Sequence, residues 1–372
     1  MSDISYRPGL EGVSAGETAI CSIDDGLRYR GYAIEDLAAN ASFADVAFLL
    51  LRGELPSEDD RREFHQELAR FAAQTPNEVL EIVHGAPAAA PLMDVIRSGA
   101  SLLAHWAPDE GGDDDMQTHL RESTRLLAQL PVVLAAAYRG RRGLPRVDAD
   151  AELPFAENFL TMLHDTKPTE RAVQALDVTL ILYAEHEFNA STFTARVVCS
   201  TLSDVYSSIT AAIGALKGPL HGGANERVMA LLEEVGSPEN AEPWIRNALA
   251  NKQRIMGFGH RVYKSGDPRA DYLAPLCAEL AKESGNEHTE EIAGTIERII
   301  RAEKKLPPNL DWPSARIYAY LGLPVELYTP LFVLSRTAGW CAHFMEQRAN
   351  NRLIRPRSNY VGPGPRTMTS SS

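Results

Sequence analysis

Apolar residues recur along most of this chain at the spacing of a helix face, and alternating runs of strand type are scarce. In ANERVMALLEEVGSP, Val228, Leu231, Leu232 and Val235 stand at i, i+3, i+4 and i+7, and Gly236 and Pro238 follow as stop signals. The stretch 192–217 ends in Lys217, Gly218 and Pro219: a cationic last turn, a terminal glycine and a breaker. It predicts one helix of about 24 residues, roughly 36 Å long, that crosses a domain or lines a dimer interface. Lys167-Pro168-Thr169-Glu170 opens a further helix through Val173, Leu176, Leu180 and Tyr183, with Pro168 near its first position. Only 18–23 and 27–32, around Asp24-Asp25-Gly26, predict a hairpin.

Length and composition narrow the class. The 372 residues exceed the roughly 250–300 at which single cores stop growing, so two domains are expected. With 44% hydrophobic and 23% charged residues, disorder is excluded for the bulk of the chain. The 37 basic and 50 acidic residues give a net charge of −13, which argues against a nucleic-acid or anionic-membrane surface. Basic residues grouped inside a motif therefore tell more than their total. Cys21, Cys199, Cys277 and Cys341 lie far apart with no C-x-x-C pair and read as buried free thiols. The start, MSDISYRPGLEGV, has no apolar signal-peptide core. The best apolar run, 43–51, contains Asp45 and falls short of the roughly 18 residues of a membrane span. A cytoplasmic protein is expected, with an acidic loop over 111–117 and a mobile tail over 362–372.

Three segments carry the means to remove a proton beside a carbonyl and stabilise the resulting oxyanion: GPLHGGAN around His221, GFGHRVYKSGDPR over 257–269, and PNLDWPSAR around Asp311. His221 precedes a helix beginning near Asn225, whose positive end disfavours the imidazolium; it reads either as a neutral oxyanion donor or as a cap of its own helix. Beside His260, Gly257 and Gly259 permit close backbone approach, and Arg261, Lys264 and Arg269 make either a local anion site or a solvated basic turn. The missing third glycine rules out a dinucleotide fingerprint. Asp311 alone is a natural helix N-cap, and only its company makes it a candidate base. His186 in HEFNAS fails the zinc-protease pattern, because Ala190 stands where the second histidine belongs; a core histidine or a substrate partner remains. Arg336 lies among Phe332, Val333 and Trp340, where a buried guanidinium needs an anion, structural or from a ligand. Arg352, Arg355 and Arg357 form a late basic cluster that binds a carboxylate or lies on a solvated edge.

In this order the segments resemble the citrate synthase family, including its 2-methylcitrate synthase branch, from about Gly9 to Arg357. GFGHRVYKSGDPR fits the family signature throughout, and HEFNAS, GPLHGGAN and NLD follow the family order. The resemblance implies an all-α, citrate synthase-like two-domain helical fold and a homodimer. A large domain, 1–224 and 317–372, would carry an inserted small domain, 225–316, with His221 at the hinge. It implies condensation of acetyl-CoA with oxaloacetate and water to citrate and CoA through an enol, with no metal or organic cofactor. Asp311 would take the methyl proton, His221 would hydrogen-bond the thioester oxygen and His260 would polarise the ketone. His186, Arg269 and Arg336 would bind oxaloacetate, joined by Arg355 of the partner subunit. Lys252, Arg254, Gly257, Phe258, Gly259 and Lys264 would receive CoA. Oxaloacetate and acyl-CoA are the expected partners, with no nucleic acid and no membrane.

Two departures from the family pattern, Pro313 after Trp312 and Ala319 after Tyr318, are expected beside the acyl pocket. The nearest rival is a 2-methylcitrate synthase using propionyl-CoA, since one methylene is worth only about 1–3 kcal/mol in a pocket. The distant rival is a non-catalytic oxaloacetate-binding protein of the same fold, disfavoured because His221, His260 and Asp311 occur together.

Overall fold

A computed structural model describes residues 6–24, 26–107, 115–260, 262–263 and 266–367. In chain order its helices are α1 (Ile34–Asn40), α2 (Phe43–Arg52), α3 (Glu58–Ala73), α4 (Asn77–His84), α5 (Leu92–Leu103), α6 (Met116–Arg141), α7 (Phe155–His164), α8 (Glu170–Tyr183), α9 (Ala190–Cys199), α10 (Val205–Leu216), α11 (Ala224–Val235), α12 (Pro238–Ala250), α13 (Pro268–Ser284), α14 (Glu287–Lys304), α15 (Asp311–Tyr320) and α16 (Tyr328–Ala349). The predicted hairpin is present and gains a strand: β1 (Cys21–Ser22), β2 (Arg28–Tyr29) and β3 (Tyr32–Ala33) pair antiparallel in that order. The tight second turn rests on left-handed Arg30 and Gly31, at φ 48° and 91°.

Helix α16 is apolar around nearly its whole circumference and is buried on all sides, against α6, α9, α10, α2 and α8. This burial is what places Arg336, in its middle, deep inside the protein. Helices α11 to α15 pack largely on one another, α13 on α15, α12 on α14 and α11 on α15. Glu290 of α14 fixes α15 by accepting two hydrogen bonds of 2.9 Å from Arg316 and one of 2.6 Å from Tyr320.

The single helix expected over 192–217 is two helices, α9 and α10, packed against each other. The Ser200 and Thr201 hydroxyls donate back to the Val197 and Val198 carbonyls, Leu202 turns left-handed at φ 68°, and Asp204 caps α10 by accepting from the Ser207 N–H at 2.8 Å. The periodicity runs through the break, and the signal that marks it is the Ser-Asp cap. Helix α8 likewise starts at Glu170 under a Thr169 cap, so Pro168 precedes the helix instead of opening it. Of the acidic stretch 111–117, Asp115 caps α6 and Met116 and Gln117 begin it; the rest lies outside the described residues. Beyond α16 the chain is extended and mostly exposed to residue 367, and 368–372 lie outside the described residues. All four cysteines are free and buried. Among the described residues no helix is long and apolar enough to cross a membrane.

Candidate active site

Helix ends build the site. The C-terminus of α8 brings Tyr183 and His186, the loop before α11 brings His221, and the starts of α13 and α15 bring Arg269 and Asp311. Together with His260 and Arg336 these line one cleft of about 870 Å3, partly walled by residues 9–16. Six residues selected from five separate segments of sequence thus meet in one place.

His221 Nε2 lies 3.2 Å from the Ser191 backbone nitrogen and 2.8 Å from Ser191 Oγ. A backbone N–H can only donate, so Nε2 accepts and the proton of the neutral ring sits on Nδ1. Ser191 is in the first turn of α9, so the helix end that faces the ring belongs to α9, not to the helix that follows His221. Burial, then the Arg336 charge, push the imidazole down to about 4. Ring-labelled NMR is expected to show the Nδ1–H form and a titration midpoint of about 4; a midpoint at the ordinary value of about 6.5 would contradict this. Because the unfolded chain binds this proton first, His221 lowers stability as pH falls from about 6.5 toward 4, by up to about 1.4 kcal/mol per pH unit. Asp177, pushed up to about 7 by burial, acts with the opposite sign, so the His221 contribution is read from the difference against His221→Gln.

Asp311 opens α15 but does not cap it; Leu310 holds that position. The expected capping role fails because the carboxylate turns toward α8, where Oδ1 accepts a 2.7 Å hydrogen bond from the Tyr183 hydroxyl. Burial raises its pKa, opposed by that hydrogen bond and by the Arg269 charge, the direction that suits a general base working near neutrality.

His260 Nδ1 accepts from the backbone N–H groups of Val262 and Tyr263, at 3.1 and 3.2 Å. This assigns the neutral ring's proton to Nε2, and the ring stacks on Tyr263 with centroids 4.7 Å apart. His186 meets the Tyr263 hydroxyl at 3.1 Å, and burial, then Arg269 and Arg336, keep it well below its ordinary pKa. The two arginines differ. Arg269 forms a two-pronged pair with buried Asp267, both contacts 2.9 Å. Arg336 donates from Nε to the Tyr183 carbonyl at 2.7 Å and covers the Phe332 ring at 4.6 Å. Among the described residues no carboxylate lies within 4.0 Å of it.

His260 and Asp311 are held in register by a short pairing of their loops. Phe258 bridges Pro308, Gly259 N–H donates to the Pro307 carbonyl at 2.8 Å, and Asn309 N–H to the Gly257 carbonyl at 2.9 Å. Gly257 has φ 86°, and a Cβ there would come within 2.8 Å of the Trp312 ring. Gly257→Ala is therefore expected to cost about 2–4 kcal/mol from left-handed strain plus overpacking, measurable by urea unfolding.

Other predicted residues lie apart. Arg355 is exposed on the extended segment beyond α16, and Lys252 and Arg254 are exposed after α12. Of 257–259 only Gly259 lines the cleft, and Lys264 lies outside the described residues. Neither Pro313 nor Ala319 is among the cleft-lining residues; Trp312 is buried against Phe258, and buried Pro313 follows it in α15. Sequence reasoning missed Tyr183 and the stretch 9–16. Tyr183 stands three positions before His186, close enough to share a helix end, and that spacing was the available signal.

A family model described as "Citrate synthase, C-terminal domain" matches residues 9–357. The chain is 49% identical to "Citrate synthase 2" of Bacillus subtilis (strain 168) over 364 residues, covering 95% of each protein. It is also 46% identical to "2-methylcitrate synthase 2" of Corynebacterium glutamicum over 365 residues, covering 96% of this chain and 94% of the relative. In structure it is similar to the ternary complex of Thermoplasma acidophilum citrate synthase with carboxymethyl coenzyme A and oxaloacetate, at a TM-score of 0.92, 34% identity and 99% coverage of both chains. The fold, the site and these likenesses agree that the chain belongs to the citrate synthase family and is a transferase of that family.

Proposed function

We propose that the chain condenses acetyl-CoA with oxaloacetate, releasing CoA and citrate. The observation that carries this reading is the convergence on one cleft of a half-buried carboxylate acceptor (Asp311), two oriented imidazole N–H donors (His221 Nδ1, His260 Nε2) and an arginine that has no carboxylate partner among the described residues (Arg336). Asp311 takes a methyl proton from the thioester while His221 Nδ1–H hydrogen-bonds its oxygen. An oxyanion donor of this kind contributes roughly 3–4 kcal/mol. His260 Nε2–H polarises the oxaloacetate ketone, the enol carbon attacks it, and water hydrolyses the resulting thioester. The reaction so written needs neither metal nor organic cofactor.

In this reading His186, Arg269 and Arg336 hold oxaloacetate, and Lys252, Arg254, Lys264 and residues 257–259 receive CoA. The mutual packing of α11 to α15 supports a small domain, 225–316, closing on a large one, 1–224 and 317–372. A cytoplasmic homodimer, with Arg355 of the partner subunit completing the oxaloacetate site, fits the exposed extended segment that carries it. The second reading, propionyl-CoA as the acyl donor, is favoured by relatives named 2-methylcitrate synthase at similar identity. Free-thiol release from each acyl-CoA, with and without oxaloacetate, decides between them. A higher kcat/KM for acetyl-CoA supports the first reading and a higher value for propionyl-CoA the second. Oxaloacetate binding without release from either would leave only a binding protein of this fold.

A further inference from the structure

We propose that Tyr183 is the positioning residue of Asp311: its hydroxyl, held by Ser314, occupies Oδ1 and leaves Oδ2 as the oxygen that takes the substrate proton. This rests on the reading of Asp311 as the base. Tyr183 ends α8 and Asp311 begins α15, so the contact joins residues 128 positions apart. The carboxylate is an acceptor only, so at 2.7 Å the phenol must donate to it. Tyr183 Oη then has only lone pairs for Ser314 Oγ, also 2.7 Å away, which makes Ser314 the donor of that second bond. The result is a one-way chain, Ser314 to Tyr183 to Asp311. Both ends of it come from α15, one turn apart, and the ring between them is fixed edge-on against Phe332 at 4.6 Å.

Five titratable groups act on Asp311: Tyr183 from α8, Arg336 from α16, Asp267 and Arg269 from the start of α13, and Tyr318 on its own helix. Among the described residues Tyr183 is the one that hydrogen-bonds the carboxylate through a side chain. Such a bond favours the charged form, so its loss makes Asp311 harder to ionise as well as less well aimed.

The test is a difference-infrared titration of the Asp311 carboxyl, assigned by its loss in Asp311→Asn, alongside steady-state kinetics. Tyr183→Phe keeps the ring and removes the hydroxyl. It is expected to move the Asp311 midpoint and the acid limb of kcat up by about half a pH unit or more. The same variant should lower kcat about tenfold, with KM for oxaloacetate within about threefold. Ser314→Ala should move the midpoint in the same direction by less. An unchanged or lowered midpoint in Tyr183→Phe overturns the proposal, and if that variant does not fold, an unchanged midpoint in Ser314→Ala does so. Absence of thiol release by the unaltered protein would instead sink the catalytic reading, while the infrared midpoints would still report whether Tyr183 governs Asp311.

Discussion

Asp311→Ala is expected to lower condensation by about 10³-fold or more while leaving helix content and melting temperature close to those of the unaltered protein. A carbon acid loses its proton only to a positioned base, and Asp311 lies in the cleft with its carboxylate oriented by the Tyr183 hydroxyl, whereas Asp267, beside it, is committed to Arg269. The fold should tolerate the change because desolvation works against this half-buried carboxylate, and a charge that is removed no longer has to be desolvated. Circular dichroism separates the two effects. Normal turnover in a folded variant would remove Asp311 from the mechanism.

Arg336→Met is expected to raise KM for oxaloacetate by about 10²-fold or more, the scale of breaking a desolvated charge pair, without lowering the melting temperature of the ligand-free protein. Arg336 is 2% exposed. Burial lowers its pKa, and its strongest opposing influence, Glu185, is itself hydrogen-bonded to His343 at 3.0 Å. Its charge is therefore poorly compensated until an anion enters the cleft. Arg269→Met makes the contrast. Removing that guanidinium strands Asp267, which is 1% exposed, and should cost about 3–5 kcal/mol of stability besides any loss of affinity. Thermal melts of both variants, with and without oxaloacetate, test the distinction. Equal destabilisation by the two changes would contradict it.

The all-helical class was legible because most faces repeat at helical spacing, and the family because four short motifs stand in order. The break between α9 and α10 was not, since both halves keep one apolar rhythm and only the Asp204 cap marks the restart. The orientation of the candidate site groups was less legible still. Nothing near His221 in sequence shows that the helix end beside it is that of α9, 30 residues earlier, or that Ser191 fixes its tautomer. Asp311 reads locally as a cap, and only the long-range contact with Tyr183 turns it into the cleft. Tyr183 in turn looks like one more apolar member of a helix face until α15 is packed against its hydroxyl. Local pattern fixes element type, whereas these roles depend on pairs far apart in the chain.

The condensation itself is tested most directly by following the carbon. Acetyl-CoA labelled with ¹³C at the methyl group, mixed with oxaloacetate and a catalytic amount of the protein, is monitored by NMR. The methyl signal is expected to convert into the methylene of citrate, dependent on oxaloacetate and absent in Asp311→Ala. Labelled acetate in its place, or an unchanged methyl signal with oxaloacetate present, would contradict it.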